Sequence, residues 1–144
     1  RTVAAVLAQT ENVHVIRDST RGGVGTVLYE IAAQSGTGMH LTAQDIPVRP
    51  AVKGVCGMLG LEPLYLACEG RLVFIVPAEA AEQVVAVLRT LPYSADAAII
   101  GDVTDRRVGT VTMTTEIGND ITAAERRVIA PYLLKERRFY DLRK

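Results

Sequence analysis

Apolar residues fall in short runs whose spacing changes along the chain, and that spacing predicts the elements. Thr2–Ala8 is a short apolar stretch with helical character, read as the end of a linker helix from an upstream domain. Val13–Arg17 alternates apolar and polar residues over a strand-sized window. Asp18-Ser19-Thr20-Arg21-Gly22-Gly23 is a dense turn signal. Val24, Val27, Leu28 and Ile31 then recur at helical spacing, and Gly36 is placed to cap that helix. Gly38–Leu41 reads as a strand. Pro50 can open a helix at its first position, where a missing N–H costs nothing. Val52, Val55, Met58 and Leu59 are expected to form that helix's apolar face, with Gly60 ending it.

Leu61–Gly70 reads as irregular, and Leu72–Val76 as a continuous apolar run typical of a buried strand. Pro77 starts the clearest helix, to about Leu91, with Ala80, Ala81, Val84, Val85, Val87 and Leu88 as its buried stripe. Ala97–Val103 and Thr110–Thr115 are expected to pair as strands joined by a turn at Asp105–Gly109. On the second of these, Thr112 and Thr114 share one face, Val111 and Met113 the other. The order β-α-β-α-β-α-β-β, with an antiparallel pair at its end, predicts an α+β fold: a mixed sheet covered by helices.

Composition narrows the class. The chain has 144 residues, 49% hydrophobic and 22% charged, enough for a real core. Sixteen basic residues balance sixteen acidic ones, which argues against a dedicated nucleic-acid binder. No apolar run approaches the roughly 20 residues that span a bilayer, so no membrane partner is expected. Two cysteines, Cys56 and Cys68, are too few for a disulfide scaffold, and a cytoplasmic location is the expectation. Charge divides unevenly. Residues 1–118 carry 9 basic and 12 acidic side chains, residues 119–144 carry 7 and 4. The expected organisation is one domain over 1–118 and a divergent basic tail over 119–144, in which Thr122 and Glu125 have the spacing of a helix capping box. The first residue is Arg1 and no signal-peptide pattern follows, so the chain reads as a piece of something longer.

Candidate chemistry concentrates in two stretches. In Arg17–Gly25 a strand runs through a glycine-rich turn into a helix, whose N-terminus offers free N–H groups to an anion. Gly22 and Gly23 allow close approach to the backbone, Arg21 supplies a fork for carboxylate or phosphate, and Asp18 or Thr20 can hold the turn. The alternative is a tight turn with Asp18 capping the helix. The spacing fits neither the dinucleotide fingerprint nor a P-loop. In Tyr65–Arg71, Glu69 is placed to act as a base or to pair with Arg71, and Cys68 is a nucleophile or a small buried hydrophobe. His14 and His40 lie far apart, and no zinc-type spacing exists, so no metal site is expected. Arg126-Arg127 and Arg137-Arg138 read first as a solvated helix face, with contact to an acidic partner or nucleic acid as the alternative.

These stretches resemble the HypE family of hydrogenase maturation proteins. The resemblance rests on Arg17-Asp18-Ser19-Thr20-Arg21-Gly22-Gly23-Val24, on Ile46-Pro47-Val48-Arg49, on Leu59 through Leu72, and on Asp96 through Val103. It covers roughly residues 1–117 and only the C-terminal domain of a superfamily that includes aminoimidazole ribonucleotide (AIR) synthetase. It implies the layered, partly ferredoxin-like fold of the AIR synthase-related C-terminal domain. It also implies an ATP-dependent carbamoyl dehydratase, which converts a carbamoyl group on a C-terminal cysteine to a thiocyanate, the cyanide source for [NiFe] hydrogenase. By motif position Arg21 would stabilise developing negative charge and Glu69 would remove a proton or position the amide. Asp18, Thr20, Gly22 and Gly23 would shape the loop around them.

ATP and Mg are implied to bind mainly in the N-terminal half, with none expected in this chain alone. The implied partners are the carbamoyltransferase and iron-delivering maturation proteins, together with a second copy joined through the N-terminal half.

The family typically ends in Pro-Arg-Ile-Cys, whereas this chain ends Arg138-Phe139-Tyr140-Asp141-Leu142-Arg143-Lys144. An altered end and a divergent paralogue both stay open, and the chain alone is expected to be inactive. The competing readings are a non-catalytic binding or assembly module, which uses the same fold to dock a partner or hold a small ligand, and another ATP-dependent synthetase or kinase of the superfamily. An apolar face left uncovered is expected to favour self-association.

Overall fold

The computed structural model describes residues 1–115, 117, 118 and 120–122. The expected capping box and the basic tail from 123 onward lie outside them, as do Arg126-Arg127 and Arg137-Arg138. Thr122 itself is the last residue of a strand.

Helix α1 (Thr2–Leu7) leads into strand β1 (Val15–Ser19). Helix α2 (Gly23–Ser35) ends at Gly36, which takes the left-handed conformation expected of a C-cap. Strand β2 (Gly38–Thr42) is followed by helix α3 (Pro50–Leu59), with Pro50 in its first turn and Gly60 at its end. A 3-10 turn at Pro63–Tyr65 precedes strand β3 (Cys68–Ile75). Helix α4 (Ala78–Arg89) then leads to strands β4 (Gly101–Thr104), β5 (Val111–Thr114) and β6 (Asp120–Thr122).

Two sheets result. β1 and β3 form an antiparallel ribbon, and the second sheet has the order β4-β2-β5-β6. β2 runs parallel to β5 and antiparallel to β4, which makes that sheet mixed. The α+β class expected from the sequence is the one observed. The expected β4–β5 pairing is not: β2 lies between them. The turn after β4 therefore crosses over β2 instead of closing a hairpin. Gly101 is what lets β4 lie on β2, since a Cβ there would run into the His40 carbonyl oxygen.

The core has two parts. Val24, Val27, Leu28, Ile31 and Ala32 of α2 pack on Met39 and Leu41 of β2 and Val111 of β5, together with Leu64 and Val73. Val6 of α1 packs on Val84 and Leu88 of α4. The ribbon joins the two. Val73 and Ile75 of β3 face the first cluster, and Phe74 with the following Val76 faces the second, as strand alternation requires.

Two expectations of burial fail. β3 starts at Cys68, earlier than the apolar run suggested, and of Leu72–Val76 only Val73 is buried. A two-stranded ribbon cannot enclose both faces of a strand along its whole length. Helix α3 is the larger departure. Val52, Val55, Met58 and Leu59 are exposed, Met58 at 88%, and Cys56 alone in the helix is buried. In α4 the buried positions are Val84 and Leu88, and the rest of the expected stripe is half-buried.

Gly101→Ala is expected to lower unfolding free energy by about 3 kcal/mol, because the β2 backbone cannot yield. Gly36→Ala, with open space around its Cβ but a φ of +67°, should cost only about 1 kcal/mol. Urea unfolding of the two variants checks the contrast.

Candidate functional site

The β1–β3 ribbon ends in a bulge, and the residues singled out in the sequence gather around it. Pairing runs regularly from Val15↔Ile75 to Asp18↔Leu72, then jumps to Ser19↔Cys68. Glu69, Gly70 and Arg71 are thereby looped out opposite a single peptide step of β1. Extra residues of this kind bend a strand and re-aim its side chains. Gly70 supports the loop with a φ of +77°. Ser19 is fully buried and its hydroxyl donates to the Arg71 carbonyl at 3.5 Å, which ties the bulge to β1.

Asp18 and Arg21 are exposed and Thr20 is half-buried. The Thr20 hydroxyl donates to Asp18 Oδ2 at 3.0 Å, so a local contact holds the turn. Asp18 does not cap α2. The residue at the cap is Gly22, at φ +68°, which has no side chain to cap the helix. Arg17 on β1 pairs with Glu30 of α2 at 3.3 Å, an exposed pair that steadies the helix against the ribbon.

Gly23 meets the close approach that its residue type suggested, but the approaching group belongs to the protein. A Cβ there would lie 2.5 Å from the Leu64 carbonyl oxygen and 2.8 Å from that of Leu66. The first turn of α2, from Gly23 to Thr26, is buried. The 3-10 turn therefore occupies the ground an anion would need at Gly23. What stays accessible is the rim: Asp18, Arg21 and Glu69, all exposed. Glu69 makes no ion pair with Arg71 among the described residues.

This arrangement does not fit a nucleotide on its own. Carbonyl oxygens stand where phosphate oxygens would need donors. Among the described residues no group of three His, Cys, Asp or Glu is placed to hold a metal ion. The rim can instead present Arg21 and the carboxylates of Asp18 and Glu69 to a polar group brought from outside. Cys56 is buried in α3, and Cys68, half-buried on β3, directs its thiol at the Glu69 carbonyl at 3.7 Å.

One constellation escaped the sequence reading. His40 of β2 has Nδ1 at 3.0 Å from Thr112 Oγ1 and Nε2 at 3.0 Å from Thr114 Oγ1. The shared face of Thr112 and Thr114 was legible, but their partner lies 72 residues earlier than Thr112.

The family described as AIR synthase related protein, C-terminal domain, matches residues 1–114. A carbamoyl dehydratase HypE from Azotobacter vinelandii is 47% identical over 116 residues, covering 81% of this chain and 34% of that protein. The crystal structure of hydrogenase maturation protein HypE in complex with ATP superposes at a TM-score of 0.82 with 42% identity, covering 86% of this chain and 39% of that one. A chain of the crystal structure of a HypE–HypF complex superposes at a TM-score of 0.79 with 36% identity, over 84% of this chain and 39% of the other. The chain thus spans about a third of the length of the Azotobacter relative.

Gly23→Ala is expected to destabilise the domain by more than about 2 kcal/mol, through both its positive φ and the Leu64 carbonyl. Arg21→Ala and Glu69→Ala, exposed at the rim, should each stay within about 0.5 kcal/mol of the parent. Denaturant melts of the three variants separate scaffold from rim.

Proposed function

The chain belongs to the family of AIR synthase related proteins, C-terminal domain, and from that membership we propose that it is the C-terminal domain of a HypE-like carbamoyl dehydratase of hydrogenase maturation. The observation that carries this reading is the agreement of sequence and fold with HypE proteins from α1 through β5. The exposed apolar face of α3 supports it as well. A helix this apolar on its outer side is suited to being covered by more protein.

In this reading ATP belongs chiefly to the N-terminal part, and the poor fit of the glycine turn to phosphate favours that. Any Mg ion goes with it. The chain's own contribution is the rim. Arg21 faces negative charge as it grows on the carbamoyl oxygen, where a fixed guanidinium has most effect. Glu69 takes a proton from the amide nitrogen or orients it, as an accessible carboxylate can. Asp18, Thr20, Gly22 and Gly23 set the course of the turn that carries Arg21. Neither Cys56 nor Cys68 suits the carrier role, because the fold holds both in place.

The chain alone is then expected to lack turnover. Its partners would be the carbamoyltransferase and iron-delivering maturation proteins, and a second copy joined through the N-terminal part. The HypE–HypF complex of a similar protein favours the first of these. The described residues contain no helix long and apolar enough to cross a membrane, and a cytoplasmic setting is part of the proposal. A binding or assembly module is the alternative, and the exposed α3 face is the observation that favours it.

A chimera tests the choice. Residues 1–114 replace the matching third of the Azotobacter vinelandii relative, which keeps its own N-terminal part and terminus. Carbamoyl-dependent ATP turnover is expected, and Arg21→Ala in the chimera should lower it about 100-fold with an unchanged melting temperature. A folded chimera without turnover would favour the binding module instead. Full turnover in the Arg21→Ala chimera would remove that residue from the chemistry.

A further inference from the structure

The bulge carries a residue that the dehydratase reading leaves idle. Glu69, Gly70 and Arg71 are looped out together, and Arg71 is exposed. Its main chain is held on both sides. The Arg71 carbonyl accepts the hydroxyl of the fully buried Ser19 at 3.5 Å, and the next residue, Leu72, is back in register with Asp18. Arg71 thus stands beside the Asp18–Ser19 step of β1. Along the chain it is two residues from Glu69, so their Cα atoms are at most about 7 Å apart.

Despite these neighbours, the Arg71 guanidinium makes neither an ion pair nor a hydrogen bond among the described residues. The other basic side chains at this end of the ribbon are engaged. Arg17 pairs with Glu30 at 3.3 Å, and Arg21 has a contact of its own. The Glu69 carboxylate is likewise without a partner among the described residues, while Asp18 takes the Thr20 hydroxyl. A charged group on a fixed main chain, not neutralised by its neighbours, needs little reordering to receive a ligand.

Charge decides what that ligand is. The planar fork of arginine matches a carboxylate or a phosphate. The carboxylates of Asp18 and Glu69 stand beside it, and they repel a dianionic phosphate more than a singly charged carboxylate. They also accept hydrogen bonds, so they favour an anion that brings N–H donors with it. A chain terminus has that make-up, an α-carboxylate with amide N–H groups just before it. We propose that Arg71 receives, as a bidentate pair, the α-carboxylate of the residue that carries the carbamoyl group. The inference rests on the dehydratase reading, in which that residue is a C-terminal cysteine. In such a cysteine the carboxylate and the carbamoyl group are joined through only Cα, Cβ and Sγ. A carboxylate held at Arg71 therefore delivers the carbamoyl group to the neighbours of Arg71, and Glu69 is one of them. Arg71 binds the terminus and positions the amide, and takes no part in proton transfer.

The test uses the full 144-residue chain and a fluorescein-labelled peptide ending in Pro-Arg-Ile-Cys, made both as the free acid and as the C-terminal amide. Fluorescence anisotropy under reducing conditions is expected to show the acid binding about 10-fold more tightly than the amide. Arg71→Ala should remove that preference with an unchanged melting temperature. Arg71→Lys, which keeps the charge but not the fork, should retain part of it. Equal binding of acid and amide overturns the proposal, as does no binding of either at millimolar concentration. So does an acid preference that survives in folded Arg71→Ala. Displacement of the acid peptide by an equal concentration of inorganic phosphate assigns the guanidinium to phosphate and overturns it too. The chimera separates this inference from the reading beneath it. Turnover there without an acid preference here sinks the inference alone. An acid preference here without turnover there leaves a rim that binds chain termini and sinks the reading.

Discussion

Everything else in this domain hangs on the pairing of β1 with β3. Among the described residues the ribbon belongs to both apolar clusters, because alternate residues of β3 pack into different ones. Val73 and Ile75 bind the ribbon to α2 and the mixed sheet, while Phe74 and Val76 bind it to α1 and α4. A slip of one residue in this register would exchange the two sets and separate both clusters from their strand. The fully buried Ser19 sits at the end of the regular pairing, where the register breaks.

The same break explains where the exposed charges are. Three residues of β3 must leave the ladder for the strand to rejoin Ser19 at Cys68, and Glu69 is among them. The chain beyond Ser19 turns at once through Thr20 and Arg21 into α2. Two polar segments distant in sequence thus come to one end of a ribbon whose other parts are packed. Their backbones are held by the Ser19–Arg71 contact and by Gly23 under the 3-10 turn, so exposed side chains stand on a fixed base. Such a combination suits recognition, which needs accessible groups that do not have to be ordered anew.

Local features were the legible ones. Pro50, Gly36 and Gly60 mark helix ends through backbone conformation, which needs no knowledge of the rest of the fold. The division of β5 into a threonine face and a Val111–Met113 face follows from strand geometry alone. Strand order did not follow, because the pattern around β4 and β5 is the same whether they pair with each other or flank β2. Helix α3 misled for a different reason: apolar spacing says that a face seeks cover, but not that the cover is in this domain. Gly23 shows a third limit. A glycine needed for a ligand and one needed for the protein's own carbonyls have the same composition, and only the position of Leu64 and Leu66 tells them apart.

The place of β2 in the second sheet bears on how the domain is made. β2 is complete by Thr42, yet both strands that flank it come after α4, and His40 waits for a partner 72 residues further on. During synthesis the α2–β2 unit emerges with its apolar face and both backbone edges unsatisfied. It can begin to gain the sheet only after Thr104, and β5 follows later still. Contacts so far apart in sequence close slowly, since the loop must be ordered before the pairing stabilises it. The newborn chain therefore passes through a stage in which half its core is present and unprotected, the stage at which a holdase chaperone would have most to bind.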